Sequence, residues 1–147
     1  PYTVLFDTIL SPVEASRGFL DEQYNNRREP PYTPVVVVSG TTTTANASLA
    51  RGGQIAGRVT AADSGLGLSG VAVLVLSGDT VVSFAMTDAS GAYSTAGLPA
   101  GSYTLRFDPS RSADQETERY RPQTSVAAVQ VAVGAVNQDG DAALARR

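Results

Sequence analysis

Along this chain apolar residues come in short alternating or paired runs separated by Gly, Pro, Asp and Ser. Residues 54–60, Gln-Ile-Ala-Gly-Arg-Val-Thr, read as a strand, and Gly65, Gly67 and Gly70 punctuate the loop behind it. Val71, Val73 and Val75 interleave with Ala72, Leu74 and Leu76. That run is apolar on both faces, which predicts a strand central in its sheet. Gly78-Asp79 marks a hairpin turn, Val81 to Thr87 the return strand, and Asp88-Ala89-Ser90-Gly91 a tight turn with Gly where positive φ is required. Ala92 to Thr95 is a short strand and Leu98-Pro99-Ala100-Gly101 another turn. From Ser102 to Asp108, Tyr103, Leu105 and Phe107 alternate with Thr104 and Arg106, the period of a half-buried strand. Residues 109–124 read as a polar loop, and Val126–Val133 and Asp141–Ala145 as closing strands. Short strands with a turn every ~8–12 residues predict an all-β sandwich. The stretch 11–29 is mixed, with Glu14, Arg17, Asp21, Glu22, Arg27 and Arg28, and is expected to be an irregular loop with room for one helical turn.

The second half of this pattern occurs twice. Residues 2–7, Tyr-Thr-Val-Leu-Phe-Asp, match residues 103–108, Tyr-Thr-Leu-Arg-Phe-Asp, at an offset of 101 (103 − 2). A polar segment ending in Tyr follows each, Tyr24 in one and Tyr120 in the other. Then come a Val-rich run (Val35–Val38 against Val126–Val133) and a glycine (Gly40 against Gly134). Leu49-Ala50-Arg51 matches Leu144-Ala145-Arg146 at an offset of 95 (144 − 49). Residues 1–50 are therefore expected to be the C-terminal half of a preceding sandwich, and 51–147 a complete one. A half-sandwich leaves a sheet edge and an apolar face uncovered. Upstream chain or strands from a neighbouring subunit must then complete it, and both routes give a linear object.

Composition narrows the chemistry. The 147 residues include no Cys and no His, and all 11 basic residues are Arg. This removes disulfides, thiolate nucleophiles, the commonest general base and metal ligand, and lysine Schiff bases. The chain is expected not to be an enzyme, and no cofactor or metal is expected. Hydrophobic residues make up 42% and charged residues 17%, too apolar for a disordered chain. The unbroken apolar run Val71–Leu76 is far short of the ~20 residues of a spanning helix. The net charge of −3 with scattered arginines offers no basic stripe for nucleic acid. A start at Pro1, with no charged and then apolar leader, suits a processed protein or a window of a longer one. Small polar residues and a single Met suit an extracellular or cell-surface location.

Four segments carry a resemblance: Ile55-Ala56-Gly57-Arg58-Val59, Leu68-Ser69-Gly70-Val71-Ala72-Val73, Thr87-Asp88-Ala89-Ser90-Gly91-Ala92-Tyr93 and Leu98-Pro99-Ala100-Gly101-Ser102-Tyr103-Thr104-Leu105. In order and spacing they resemble the carboxypeptidase regulatory-like and collagen-adhesin B-type repeat families. The resemblance implies a prealbumin-like (Ig-like) seven-stranded β-sandwich, here preceded by a half-sandwich of the same type. Members serve as stalks, spacers, adhesin repeats and accessory domains, so fold leaves function open. Some carry a Lys-based isopeptide cross-link, which this Lys-free chain cannot form. Some hold calcium in acidic loops. The candidate here, Asn137-Gln138-Asp139-Gly140-Asp141, lacks the distal Glu of such a loop and reads more simply as a Gly turn.

Several residues are singled out as candidate sites. Thr41, Thr42, Thr43 and Thr44, followed by the sequon Asn46-Ala47-Ser48, are either an ordinary exposed strand or glycan acceptors. Asp114, Glu116 and Glu118 alternate as on an extended segment and could meet a cation or basic partner, or be a solvated loop, as could Asp21 and Glu22. Tyr24, Tyr32, Tyr93, Tyr103 and Tyr120 either pack or stack on sugars. Tyr2, Val4, Phe6, Val35, Val37, Leu49 and Arg51 are the expected contacts between units. The leading expectation is a structural subunit or tandem repeat of an extracellular filament, stalk or surface array whose partners are copies of itself. The alternatives are a carbohydrate- or protein-binding adhesive module and an accessory domain of a secreted enzyme.

Overall fold

The doubly apolar run becomes a strand where its pattern requires one, in the middle of a sheet. In the computed structural model, which describes residues 1–8, 18–28, 30–125 and 127–147, Ala72–Ser77 (β4) lies between Thr80–Met86 (β5) and Gly101–Asp108 (β7), antiparallel to both. The far edge of β7 is shared by two short strands, Gln123–Thr124 (β8) at Arg106–Phe107 and Val129–Val131 (β9) at Gly101–Tyr103. The first sheet thus has four lanes, β5, β4, β7 and β8/β9. The second is built on Gln54–Ala61 (β3), with Ala92–Ser94 (β6) antiparallel on one side. On the other side Val136–Asn137 (β10) and Ala142–Leu144 (β11) run parallel to β3. Four lanes and three make a seven-lane β-sandwich.

Alternation decides what fills the space between the sheets. Tyr103, Leu105 and Phe107 of β7 are buried, whereas Arg106 is exposed. Ile55 and Val59 of β3, Val73 and Val75 of β4, and Val129, Val131 and Leu144 complete one hydrophobic cluster. The rings of Tyr93 and Phe107 bridge the sheets edge to face, with centroids 6.3 Å apart. Tyr93 Oη donates to the Gly140 carbonyl at 2.6 Å, so the one polar atom of that ring has a partner. Burial, and next the negative charge of Asp141, push the Tyr93 phenol well above its ordinary pKa. Thr87 does similar work: its buried hydroxyl donates to Leu68 O at 2.6 Å and accepts from Val71 N–H at 2.9 Å.

Every member of this cluster lies between Ile55 and Leu144. The described residues of 1–50 contribute none. They form a separate small layer in which Leu5–Phe6 (β1) pairs antiparallel with Glu22–Gln23 (β2).

Differences from the sequence reading follow from partners. The expected strand Val35–Val38 is reduced to one bridge at Val35, because among the described residues no strand flanks Val36 to Val38, which are exposed. The expected strand 126–133 shortens to β9, and Val126 lies outside the described residues. The polar segment 109–124 holds 3₁₀ turns at Pro109–Arg111 and Thr117–Arg119 and the strand β8. Of the mixed stretch 11–29, residues 11–17 and 29 lie outside the described residues, and β2 and the turn behind it occupy 22–27.

Burial makes a first prediction. Phe107→Ala, at a fully buried position, is expected to cost about 3–5 kcal/mol. Phe84→Ala, on the open face of β5, stays within about 0.5 kcal/mol. Urea unfolding of the two variants measures the difference, and equal losses would show the core to be wrongly placed.

Candidate interaction surfaces

Several backbone hydrogen bonds among the described residues of 1–52 recur among those of 102–147. Leu5 pairs with Gln23 and Phe6 with Glu22; at an offset of 101 Arg106 pairs with Thr124 and Phe107 with Gln123. Tyr24 N–H donates to Val4 O at 2.9 Å, and Ser125 N–H to Leu105 O at 2.7 Å. Tyr2 bridges Val35 as Tyr103 pairs with Val129. From there to Thr43 and Asn137 the offset is 94 (129 − 35), and at the closing end it is 95 (145 − 50). Gly40 and Gly134 both have positive φ, 76° and 70°, the left-handed conformation that favours Gly. The N–H after each closes the same turn at 3.2 Å, Thr41 to Val38 O and Ala135 to Ala132 O. Thr43 Oγ1 donates to Val36 O at 3.0 Å, where Asn137 Nδ2 donates to Gln130 O at 2.7 Å.

The end of each segment is closed by the same clasp. Leu20 N–H donates to Ala50 O and Gly52 N–H to Gly18 O, both at 2.8 Å; Arg121 N–H donates to Ala145 O at 2.9 Å and Arg147 N–H to Arg119 O at 2.8 Å. Phe19 bridges Arg51 and Tyr120 bridges Arg146. In both, the guanidinium lies over the ring, 5.1 Å from the Phe19 centroid and 5.9 Å from that of Tyr120. Such a contact is worth about 0.5–1 kcal/mol at an exposed site. Tyr120 is thus the counterpart of Phe19, and Tyr24 that of Ser125, which corrects the pairing of Tyr24 with Tyr120. An aromatic kept in the clasp, not the nearest tyrosine, is the landmark.

What differs is cover. Tyr103 is 6% exposed and its counterpart Tyr2 67%; Val131 is 5% exposed and its counterpart Val37 57%. Val4 and Phe6 are half-buried, whereas Leu105 and Phe107 are closed off. In the sandwich β4 lies against the free side of β7, and β3 against β10 and β11. Among the described residues β1 has β2 alone as a strand neighbour.

The first clasp is seated on the sandwich through glycines. Gly53 and Leu98 exchange hydrogen bonds at 2.9 and 2.8 Å, Gly134 N–H donates to Gly52 O at 3.0 Å, and Gln54 N–H donates to Ala135 O at 2.9 Å. A Cβ on Gly52 would lie 2.6 Å from Leu20 Cδ2 and 2.8 Å from Leu98 N, and one on Gly97 would collide with the Phe19 carbonyl. Arg51 and Leu49 belong to this clasp, Arg51 over Phe19 and half-buried Leu49 just ahead of it.

The remaining candidates are placed as follows. Thr41 to Thr44 and Asn46 are exposed, and the hydroxyls of Thr41 and Thr43 donate to Val38 O and Val36 O. Asp114, Glu116 and Glu118 do not share an extended face, because Asp114 closes a turn: its Oδ1 accepts from Glu116 N–H at 3.0 Å. Glu116 binds Arg119 and Arg146, at 3.3 and 3.0 Å. Asp21 accepts from Thr8 N–H and Oγ1. Glu22, expected as a solvated loop acid, is buried in β2, with Oε1 lacking a hydrogen-bond partner among the described residues. Tyr93, Tyr103 and Tyr120 pack, while Tyr32 is exposed. In 137–141, Asn137 Oδ1 accepts from Asp139 N–H and Asp141 Oδ1 from Arg58 N–H, both at 2.7 Å, so these oxygens hold backbone. Among the described residues no cluster of three or more metal-ligating side chains forms, and no helix is long and apolar enough to cross a membrane.

Comparison with known proteins now has a geometry to meet. The pattern that defines the carboxypeptidase regulatory-like domain matches residues 54–144, most of the sandwich. The chain belongs to that family. No curated protein matches it. Among solved structures it is similar to the Bacillus anthracis TIE protein, at 17% identity and a TM-score of 0.49, over 64% of this chain and 16% of that one. A protein of Bacteroides uniformis ATCC 8492 named for carbohydrate binding is 18% identical, with a TM-score of 0.45, over 62% of this chain and 40% of that one. The pilus 2b backbone protein of group B streptococcus is 15% identical, with a TM-score of 0.42, over 74% of this chain and 46% of that one. The chain thus spans less than half the length of these three.

The seating of the clasp yields a second prediction. Gly97→Val is expected to speed amide exchange at Leu20 and Gly52 at least tenfold, leaving Val73 and Leu105 protected. Hydrogen-exchange NMR of the intact chain measures both sets. Unchanged exchange at Leu20 would show that the glycine contact does not hold the joint.

Proposed function

We propose that this protein is a non-catalytic structural unit of an extracellular stalk, filament or surface array. One observation carries the reading: the backbone geometry of 102–147 recurs in 1–52, and the first copy is seated on the sandwich through a glycine joint. A chain of this kind is a length of a repeating rod. Residues 1–50 are the second half of one sandwich, and 51–147 the whole of the next. The two clasps lie at opposite ends of the unit, since β3 leads away from the Arg51 clasp and ends at Ala61 beside the Asp63–Arg146 pair of the other. Repeating one head-to-tail contact gives a line, not a closed ring, unless its rotation closes. The absence of His, Cys and Lys supports a mechanical role over a chemical one.

Electron microscopy of the native protein, with an antibody against this segment, tests the reading. Thin linear particles labelled along their length are the expected result, and compact globular particles would overturn it.

Glycans on Thr41–Thr44 or Asn46 are a separate proposal, supported by the exposure of that segment. Intact-mass measurement of the protein from its native source is expected to show added hexose or hexosamine, and an unmodified mass would remove the proposal.

A further inference from the structure

We infer that residues 2–6 and 35–49 form a receptor for the first half of another copy of this sandwich, a segment equivalent to residues 53–101, in the register of the complete unit. The inference rests on the structural-repeat reading above and specifies its joint.

Two edges and one face that no described residue covers define the occupant. The side of β1 away from β2 corresponds to the side of β7 that β4 fills. Residues 42–43 and 47–49 correspond to β10 and β11, which β3 fills. A lone extended peptide satisfies one edge and leaves the other and the inner face open. A β3-like and a β4-like strand in one chain satisfy both.

The register follows from the pairs already formed. Val73 lies opposite Phe107, Leu74 opposite Arg106 and Val75 opposite Leu105. The occupant's equivalents therefore lie opposite Phe6, Leu5 and Val4. Its equivalents of Gln54 and Ile55 run beside Thr42 and Thr43, and those of Val59 to Ala61 beside Ala47 to Leu49.

Charge agrees with this fit. β4 carries no charged residue, nor do Val4 to Phe6 or the whole run Val35 to Leu49. Uncharged, β-branched edges that lack Lys or Pro gatekeepers are the ones competent for strand addition. Tyr2 and Val37 occupy the positions that the occupant closes in the complete unit, where Tyr103 and Val131 are buried.

The test is the full chain with a second copy of residues 53–101 placed directly ahead of Pro1, the counterpart of Ser102. Amide exchange at Val4 and Val37 is expected to slow on the order of 100-fold or more relative to the unextended chain. The same extension carrying Val73→Lys and Val75→Lys in the added copy is expected to lose that protection, with Val73 and Leu105 of the original unit still protected as the control for folding. Fast exchange at Val4 and Val37 in the extended chain overturns the inference, as does equal protection by the Lys-bearing extension. Either result leaves the structural-repeat reading standing, which only the micrographs decide.

Discussion

A β-sheet with one apolar face is stable only when a second layer covers that face and its edges find partners. In residues 53–147 that condition is met within the chain. Leu105 and Phe107 are closed off because β3 and β4 lie on and beside the strand that carries them. The equivalent strand at residues 2–7 has the same alternation and the same hairpin partner, yet Tyr2 stands open. The alternation and the pairing of that strand are shared by the two places, and the cover is what differs. On the proposed reading, the missing cover is a first half like residues 53–101, from the same chain or another.

The joint between the two parts is made of backbone more than of side chains. Gly52, Gly53 and Gly97 let three segments approach so closely that a methyl group at any of them would strike a neighbour. Four or more residues on each side are tied by main-chain hydrogen bonds, with no run of unpaired linker between Ala50 and Ala61. A Gly/Ser linker would behave as a flexible coil. The same glycines, closed in by hydrogen-bonded backbone, make a stiff corner. Composition alone does not distinguish the two uses of Gly-Gly; the partners of the flanking N–H groups do.

Much of the sandwich was legible in the sequence because burial imposes period two. The doubly apolar run at 72–76 marked the central strand, and Tyr103, Leu105 and Phe107 marked an inward face. The repeat was legible where it lies in side chains, as in Tyr2–Asp7 and Tyr103–Asp108. It was misaligned where it lies in hydrogen bonds, since Tyr24 and Tyr120 are alike in name and Phe19 and Tyr120 alike in place. Val35–Val38 has every local preference for a strand, but a strand is a relation between segments, and among the described residues Val36 to Val38 pair with no strand. The alternating acids at 114–118 failed for a local reason: Asp114 binds the backbone two residues ahead and turns the chain, so alternation in sequence is not alternation in space. Glu22 was missed as a buried residue because a carboxylate beside Asp21 in a polar stretch reads as solvated, and its burial comes from its place in β2.

The direction of the strands bears on what such a unit does under load. β3 begins at the Arg51 clasp, and β11 ends just before the Arg146 clasp. The two run parallel and are hydrogen-bonded along Val59–Ala61 and Ala142–Leu144, with β10 continuing the contact at Gln54–Ile55. Tension applied through the two clasps pulls the start of β3 and the end of β11 in opposite directions along the strands. The inter-strand bonds then lie across the pull and share it, instead of opening one after another as a hairpin does when drawn apart from its free ends. The pairs at Gln54–Ile55 and Val59–Ala61 lie at the two ends of β3, an eight-residue strand of about 26 Å, and so place the load at both. A stiff glycine joint passes it on without slack. On the proposed reading, the uncharged core of the sandwich and the polar side chains that hold its backbone suit a unit placed under tension.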